Sequence, residues 1–448
     1  MSGQVTPLGL SLLTVSAWAL SLAVIAARPE PFVAALPLML VIATLALRRS
    51  LPAYALTHQI SAGRVFEGES VTVTVTVTAT SAIPLMMLFE PLPRDSDVAG
   101  GRNRAVMTLR AGERQHFSYD VRCSARGVQD LGTIVVQVGD RWGVRVWEWR
   151  HVDRKHVRVY PRIAPLRSLP RPLRTQASSG DYVSPALGEG IEPGDIRQFA
   201  PGDRIRQVNW RASLRLGTLY VNQHHRERNA DVVLMLDTLA EVGAAPDTTL
   251  DLGVRAAASL ATAYLARKDR VGLINYGGTI DWVKPGSGRV QYERLAHTFL
   301  MATVVFTFVM KDLLALVPPR VLPPHALVIA VTPLLDARFT RATLDLAARG
   351  FDLVVLVVSP VEVTRAVLSD SPINDLACRL WTLERRARLD ELRRHGLAVI
   401  EWNPQEALEL ALAGLTRRLG WRASKGPPSP PDARSTAAKP RRSSISPG

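Results

Sequence analysis

The chain has 448 residues, 55 Lys and Arg against 40 Asp and Glu, a net charge of +15, and 47% apolar residues. That length exceeds one ordinary domain, and the composition excludes a wholly disordered or collagen-like chain. Two cysteines, Cys123 and Cys378, exclude a disulfide framework and suit a reducing compartment. The basic balance fits nucleic acid, anionic lipid or an acidic protein, but no zinc-finger spacing or RNA-recognition signature accompanies it, so no nucleic-acid partner is expected.

Leu8 to Ala27 is uncharged and mostly apolar, about the length of one membrane span. Arg28-Pro-Glu-Pro31 breaks it. Phe32 to Leu47 is a second, shorter apolar run holding Pro37, closed by Arg48-Arg49. The pattern predicts a transmembrane hairpin over residues 1–50. No Lys or Arg precedes Leu8, which argues against a signal peptide. Arg48-Arg49 predict, by the positive-inside rule, that the rest of the chain lies in the cytoplasm, so the chain reads as an integral membrane protein.

Residues 51–161 read as a small β-sandwich. Val71-Thr-Val-Thr-Val-Thr-Val-Thr78 alternates with period two, the mark of a half-buried strand. His116–Arg122, Ile134–Val138, Gly143–Trp149 and His156–Tyr160 are further strands, punctuated by Gly, Pro and Asp. Residues 162–229 form a basic linker and a polar motif. Between Arg150 and Arg228 there are 15 basic and 7 acidic side chains, a solvated surface or a positive belt beside anionic lipid headgroups.

The motif reads Arg197-Gln-Phe-Ala-Pro-Gly-Asp203-x-x-Arg206-x-x-Asn209-Trp210-Arg211-x-Ser213-x-Arg215. Pro201-Gly202 is a turn signal, and Asp203 suits the N-cap of a short helix. Arg206, Asn209 and Trp210 are spaced to share one helical face. Arginine forks and a tryptophan suit docking, either of this segment onto the chain's own sheet or of a partner onto this segment.

From residue 230 to 420 the pattern becomes strand, helix, strand. Val232–Leu236, Arg270–Tyr276, Ala326–Val331, Asp352–Val358 and Ala398–Glu401 read as strands. Leu250–Arg267, Leu295–Val317, Ala337–Arg349, Asn374–His395 and Pro404–Leu419 read as helices, with Lys311-Asp312 making Leu295–Val317 a buried helix and not a span. This predicts a doubly wound α/β domain. Residues 421–448, rich in Pro, Ser, Lys and Arg, predict a disordered tail.

The motif resembles that of the family called domain of unknown function 58. Arg197, Phe199, Pro201, Gly202, Asp203, Arg206, Asn209, Trp210, Arg211 and Arg215 carry the likeness. Arg126-Gly127, Asp140-Arg-Trp-Gly143 and Val157-Arg-Val-Tyr-Pro161 extend it into the β-rich part. The resemblance implies a von Willebrand factor A-like α/β domain, a bacterial setting and with it an inner-membrane location, and partnership with a MoxR-type AAA ATPase. In A-type domains an Asp-x-Ser-x-Ser at the end of the first strand, with a later Thr and Asp, supplies the oxygen ligands that Mg²⁺ requires. Here Asp237 is kept, but Leu239 and Glu241 stand at the Ser positions and Thr332-Pro333-Leu334 where a second Asp is expected, with Asp336 offset. Thr303 or Thr307 could supply the intervening Thr. The expected reading is a degenerate site around Asp237 and Glu241 that holds no metal, Asp237 being bonded to loop N–H groups.

No Gly-x-Ser-x-Gly elbow, phosphate-binding Gly-Lys-Thr loop or His-Glu-x-x-His occurs. His224-His225 reads as surface, and Lys284-Pro-Gly-Ser-Gly288 as a loop that starts no helix. The expected function is therefore a membrane-anchored interaction protein with no catalytic residue and no cofactor. A metal-dependent ligand-binding module and a hydrolytic enzyme are the alternatives.

Overall fold

The computed structural model describes residues 2–27, 30–47, 53–140, 142–170, 182–200, 208–228, 231–307, 313–324 and 326–414. Arg28, Arg48-Arg49, Lys311-Asp312 and the tail at 421–448 lie outside them. Strand β1 (Ser2–Val5) leads into helix α1 (Pro7–Ala26), and α2 (Glu30–Leu47) packs back against it. Thr6 starts α1: its side chain accepts the Gly9 N–H at 3.1 Å and donates to the Gly143 carbonyl at 2.6 Å. Pro7 follows at the first helical position, where its missing N–H and preset φ are no handicap. Helix α1 is long and apolar enough to cross a membrane; α2 carries Pro37 in its interior.

The β-rich part comprises β2 (Tyr54–Ile60), β3 (Arg64–Phe66), β4 (Ser70–Ala79), β5 (Ile83–Phe89), β6 (Ser96–Gly101), β7 (Arg104–Leu109), β8 (Arg114–Cys123), β9 (Gly127–Gly139) and β10 (Arg145–Tyr160). One sheet runs β2-β4-β8-β6; the other runs β1-β10-β9-β5-β7, with β3 beside β10. The alternation in β4 does what its period requires: Val71, Val73, Val75 and Val77 are fully buried between the sheets, while the threonines face outward. Gly143–Trp149 and His156–Tyr160 are not separate strands. They are one strand, β10, joined through a register shift between Val152 and Lys155 that absorbs Asp153-Arg154 without ending the ladder to β9.

The first stretch of the expected linker is a strap laid on the next domain. The Ala164 N–H donates to Ser259 Oγ at 2.9 Å, and the Arg167 and Ser168 N–H groups both donate to Glu409 at 2.9 Å. Leu169 is buried among the sheet-domain side chains. The chain then makes an antiparallel pair, β11 (Tyr182–Gln198) with β12 (Tyr220–Arg228), spanned by helix α3 (Trp210–Leu216).

The remaining elements are β13 (Asp231–Thr238), α4 (Thr249–Ala266), β14 (Arg270–Gly277), β15 (Ile280–Gly286), α5 (Gly288–Met301), α6 (Leu313–Leu316), β16 (Leu327–Thr332), α7 (Ala337–Ala348), β17 (Asp352–Val358), α8 (Pro360–Arg365), α9 (Pro372–Arg394) and β18 (Ala398–Trp402), then helix 408–414. The sheet order is β15-β14-β13-β16-β17-β18, parallel except for the edge strand β15. Period two in β13 sends Val232, Leu234 and Leu236 to one face, against α4, α5 and helix 408–414. Val233 and Met235 go to the other, against α6, α7 and α9. A strand covered on both faces must be apolar throughout, and this one is.

Two expectations fail here. The buried helix Leu295–Val317 is in fact α5, which begins seven residues earlier, at Gly288, and ends at Met301. Ala302 is extended (φ −64°, ψ 118°), and the β-branched Thr303-Val304-Val305 follows it out of the helix. Lys284-Pro-Gly-Ser-Gly288, read as an isolated loop, ends β15 and opens α5.

The sandwich is locked to the sheet domain by buried charge. Arg126 Nε lies 2.9 Å from Asp251 on α4, and its Nη1 donates to the carbonyls of Ala302 (2.7 Å) and Phe299 (3.2 Å) at the end of α5. A guanidinium there supplies donors at a helix end, where carbonyls lack their full set of intrahelical partners. Arg255 Nε meets Glu67 of the sandwich at 2.6 Å, and Glu67 also accepts the Arg162 N–H at 3.0 Å.

Candidate functional site

In an open parallel sheet a crevice forms outside the carboxyl ends of neighbouring strands whose connections leave in opposite directions. Here those strands are β13 and β16, and Asp237 and Thr332 lie at their ends. Asp237 is 2% exposed, and both its oxygens are engaged: Oδ1 accepts the Leu239 N–H at 3.0 Å, Oδ2 the Thr332 hydroxyl at 2.6 Å. Thr332 Oγ1 in turn accepts the Leu334 N–H at 2.9 Å. Burial pushes the Asp237 carboxyl up to about 7, against the opposing pull of the Thr332 and Leu239 bonds.

Leu239 does not face this crevice. It is buried in the same apolar cluster as Ile274, Tyr276 and Phe339. Glu241 is exposed. Asp336 pairs with Arg338 at 2.6 Å, and Arg338 Nη1 donates to the Thr307 carbonyl, also at 2.6 Å. A hard divalent ion needs several ionised or hydroxylic oxygens with free lone pairs. The residues at Asp237 do not fit one: the carboxylate is bonded on both oxygens and favours its proton, and among the described residues no group of three or more potential ligands could hold a metal ion. Sequence reading anticipated the loop N–H but missed Thr332; a Thr at the end of the strand beside an Asp-terminated strand is the signal that could have found it.

The motif residues lie elsewhere. Arg197 and Gln198 end β11, paired with Val221 and Tyr220, and Arg197 Nη1 donates to the Gln198 carbonyl at 3.0 Å. Pro201, Gly202, Asp203 and Arg206 lie outside the described residues. Asn209 does not share a helical face with Trp210; it caps α3, its side chain accepting the Ala212 N–H at 3.0 Å, while its own N–H donates to the Tyr220 carbonyl. Ser213 ties the helix back, accepting the Tyr220 N–H at 2.9 Å and donating to the Asn209 carbonyl at 2.8 Å. Gly217 ends α3 at φ 70°, where a side chain would be strained.

Thus pinned, α3 turns its apolar side chains outward. Trp210 is 60% exposed, Leu214 85% and Leu216 59%, with Arg211 and Arg215 exposed among them. A segment docked onto its own sheet would bury that tryptophan. His224 and His225 lie on β12, paired with Gly188 and Leu187.

Another polar cluster went unread in the sequence. Inside the sandwich Glu90 is fully buried, accepts the Tyr119 hydroxyl at 2.6 Å and the Gly132 N–H, and has His58 Nε2 at 3.2 Å. Burial pushes the Glu90 carboxyl up, but His58, Tyr119 and the Gly132 N–H outweigh it and hold it below the usual carboxylate range. Its enclosure by both sheets gives it a structural role.

These features define a multidomain protein with an apolar N-terminal helix, a β-sandwich and a mixed α/β sheet domain, with an exposed apolar cluster on α3. The family model described as "Protein of unknown function DUF58" matches residues 195–371, from the end of β11 to the residue before α9. An uncharacterized protein of Mycobacterium bovis and one of Mycobacterium tuberculosis are each 30% identical over 122 residues. That match covers 27% of this chain and 38% of each relative. Among solved structures, the cupredoxin domain of amoB from Nitrosocaldus yellowstonii is 11% identical, with 25% of this chain and 90% of that one covered and a TM-score of 0.18. A non-cellulosomal cohesin from Archaeoglobus fulgidus is 16% identical, covering 22% and 91%, with a TM-score of 0.16. Likenesses of that size carry no argument.

Proposed function

We propose that this chain is a non-enzymatic, membrane-anchored interaction protein whose α/β part is a von Willebrand factor A-like domain. In this reading it works with a MoxR-type AAA ATPase in complex assembly or cell-envelope processes. The observation that carries it is the α3 surface, where Trp210, Leu214 and Leu216 stand exposed beside Arg211 and Arg215. Exposed apolar groups clustered on a short, well-tied helix mark a contact surface, and tryptophan and arginine are the side chains that most often anchor one. The strand order with its single antiparallel edge supports the A-like reading.

The N-terminal topology supports a hairpin anchor. Strand β1 precedes α1 yet pairs with β10 of the sandwich, which follows α2. The chain on both sides of the helical pair therefore lies on one side of any membrane that α1 crosses, so α2 must cross back. The test is capture from detergent-solubilised membranes. The full chain should retain a AAA ATPase, and Trp210→Ala and Leu214→Asp should each lose it without lowering the melting temperature. A parent that captures no ATPase, or variants that retain it fully, would sink the proposal.

A further inference from the structure

Helix α9 has two opposed faces. Cys378, Arg385, Leu389 and Leu392 are buried against the sheet domain. Ile373, Leu376, Leu380 and Leu383 are 78%, 58%, 59% and 60% exposed. With about 3.6 residues per turn the centres of these two sets lie about 180° apart, so the helix cannot bury both against its own domain. Single exposed leucines need no explanation, but four in one seam do. The spacing of three, four and three residues is the a/d repeat of a helix that seats against another helix. Val367 and Leu368, just before the helix, are also exposed, at 59% and 42%.

We propose that α9 pairs with α9 of a second copy of this chain, side by side and parallel about a two-fold axis, through Ile373, Leu376, Leu380 and Leu383. The charges beside the seam select this occupant. With Ile373 and Leu380 at a, and Leu376 and Leu383 at d, Arg379 and Arg386 fall at g and Glu384 at e. In a parallel pair each g residue faces the next e residue across the seam, so Arg379 of each copy meets Glu384 of the partner subunit. In an antiparallel pair g meets g, and arginines would oppose arginines. The seam is thus self-complementary in one orientation, as an isologous two-fold contact requires. Glu384 Oε1 also meets Arg388 of its own helix at 2.6 Å. That pair is exposed and weak, and Oε2 remains for Arg379. This contact is independent of the α3 surface and of the ATPase reading.

The test uses the full chain in detergent, followed by light scattering over a concentration series. The parent should be a dimer. Leu380→Glu with Leu383→Glu should give a monomer whose circular-dichroism melt matches that of the parent diluted below its dissociation constant, because both positions face solvent within one chain. Arg379→Glu alone, or Glu384→Arg alone, should raise the dimer dissociation constant at least about tenfold, and the two together should restore it. In intact membranes under mild oxidation, Leu383→Cys should cross-link and Arg388→Cys should not; the native Cys123 and Cys378 are buried. A monomeric parent overturns the proposal. So does a dimer that survives the double leucine replacement, which would locate the contact elsewhere, for instance between membrane helices. A charge exchange that fails to rescue rejects the parallel pairing.

Discussion

Asp237 is a carboxylate held at the edge of ionisation by its surroundings. Its folded pKa, pushed by burial to about 7, lies above the ordinary unfolded value of roughly 3.9. The folded state therefore holds the proton more tightly, and the stability this adds at low pH is lost as pH rises from about 4 to about 7. Asp237→Asn is neutral like the protonated form; its amide oxygen can accept the Leu239 N–H, and its amide N–H replaces, with reversed direction, the bond that Oδ2 accepts from Thr332 Oγ1. It should gain on the parent across that window, by at most about 4 kcal/mol above pH 7. Urea melts at pH 5 and pH 8 measure this, and a gap that does not widen contradicts the assignment. Millimolar Mg²⁺ should leave the parent's melting temperature unchanged; a saturable rise abolished by Asp237→Ala would reinstate a metal site. In the sandwich, Tyr119→Phe removes a hydroxyl that bonds a buried carboxylate at 2.6 Å. The expected loss is about 1.5–3 kcal/mol, read from the same melts.

At the scale of elements, the contact between β9 and the helices α4 and α5 rests on Arg126. Its removal leaves Asp251 buried without its ion-pair partner, takes the side-chain donor from the Ala302 carbonyl, and leaves the Phe299 carbonyl only the Ala302 N–H at 3.4 Å. Breaking a buried pair costs about 3–5 kcal/mol. The lower end applies here, because Asp251 keeps its capping bonds from Thr248. Arg126→Ala should therefore destabilise by about 3 kcal/mol and speed amide exchange at the end of α5. Unaltered exchange there would show that the sandwich docks without it. Arg126-Gly127 was legible in the sequence only as part of a resemblance, since its partners lie 173 and 176 residues away in the chain. Helix α5 was misread for a related reason: Leu295–Val317 is apolar enough for a helix, but Ala302 turns extended where its carbonyl meets Arg126.

For the whole molecule, the arrangement to test is a hairpin anchor with everything else on one side. A reporter fused after Gly448 should be active only as a cytoplasmic reporter, by the positive charge of Arg48-Arg49. Strong activity of a periplasm-dependent reporter at that position would overturn both the orientation and the ATPase partnership.

Local periodicity was enough to determine much of this protein. The alternation of Val71 to Thr78 and the unbroken apolar run Val232 to Leu236 each state which faces must be buried, because side-chain direction along a strand repeats every two residues. The strand-helix order and the apolar N-terminal helix followed in the same way, while the motif's likeness to a family rested on its residue types and their order. What only the tertiary structure decided is pairing at long range. Thr332, 95 residues from Asp237, takes one of its oxygens, and Leu239 turns into the core instead of toward the crevice. Trp210 faces solvent instead of the sheet, and α9 keeps a second apolar face after its first is buried. A sequence shows which side chains are apolar or charged, but what each one meets depends on how the elements pack. The energies that choose among packings lie in those contacts, not in the local conformational preference of any one segment.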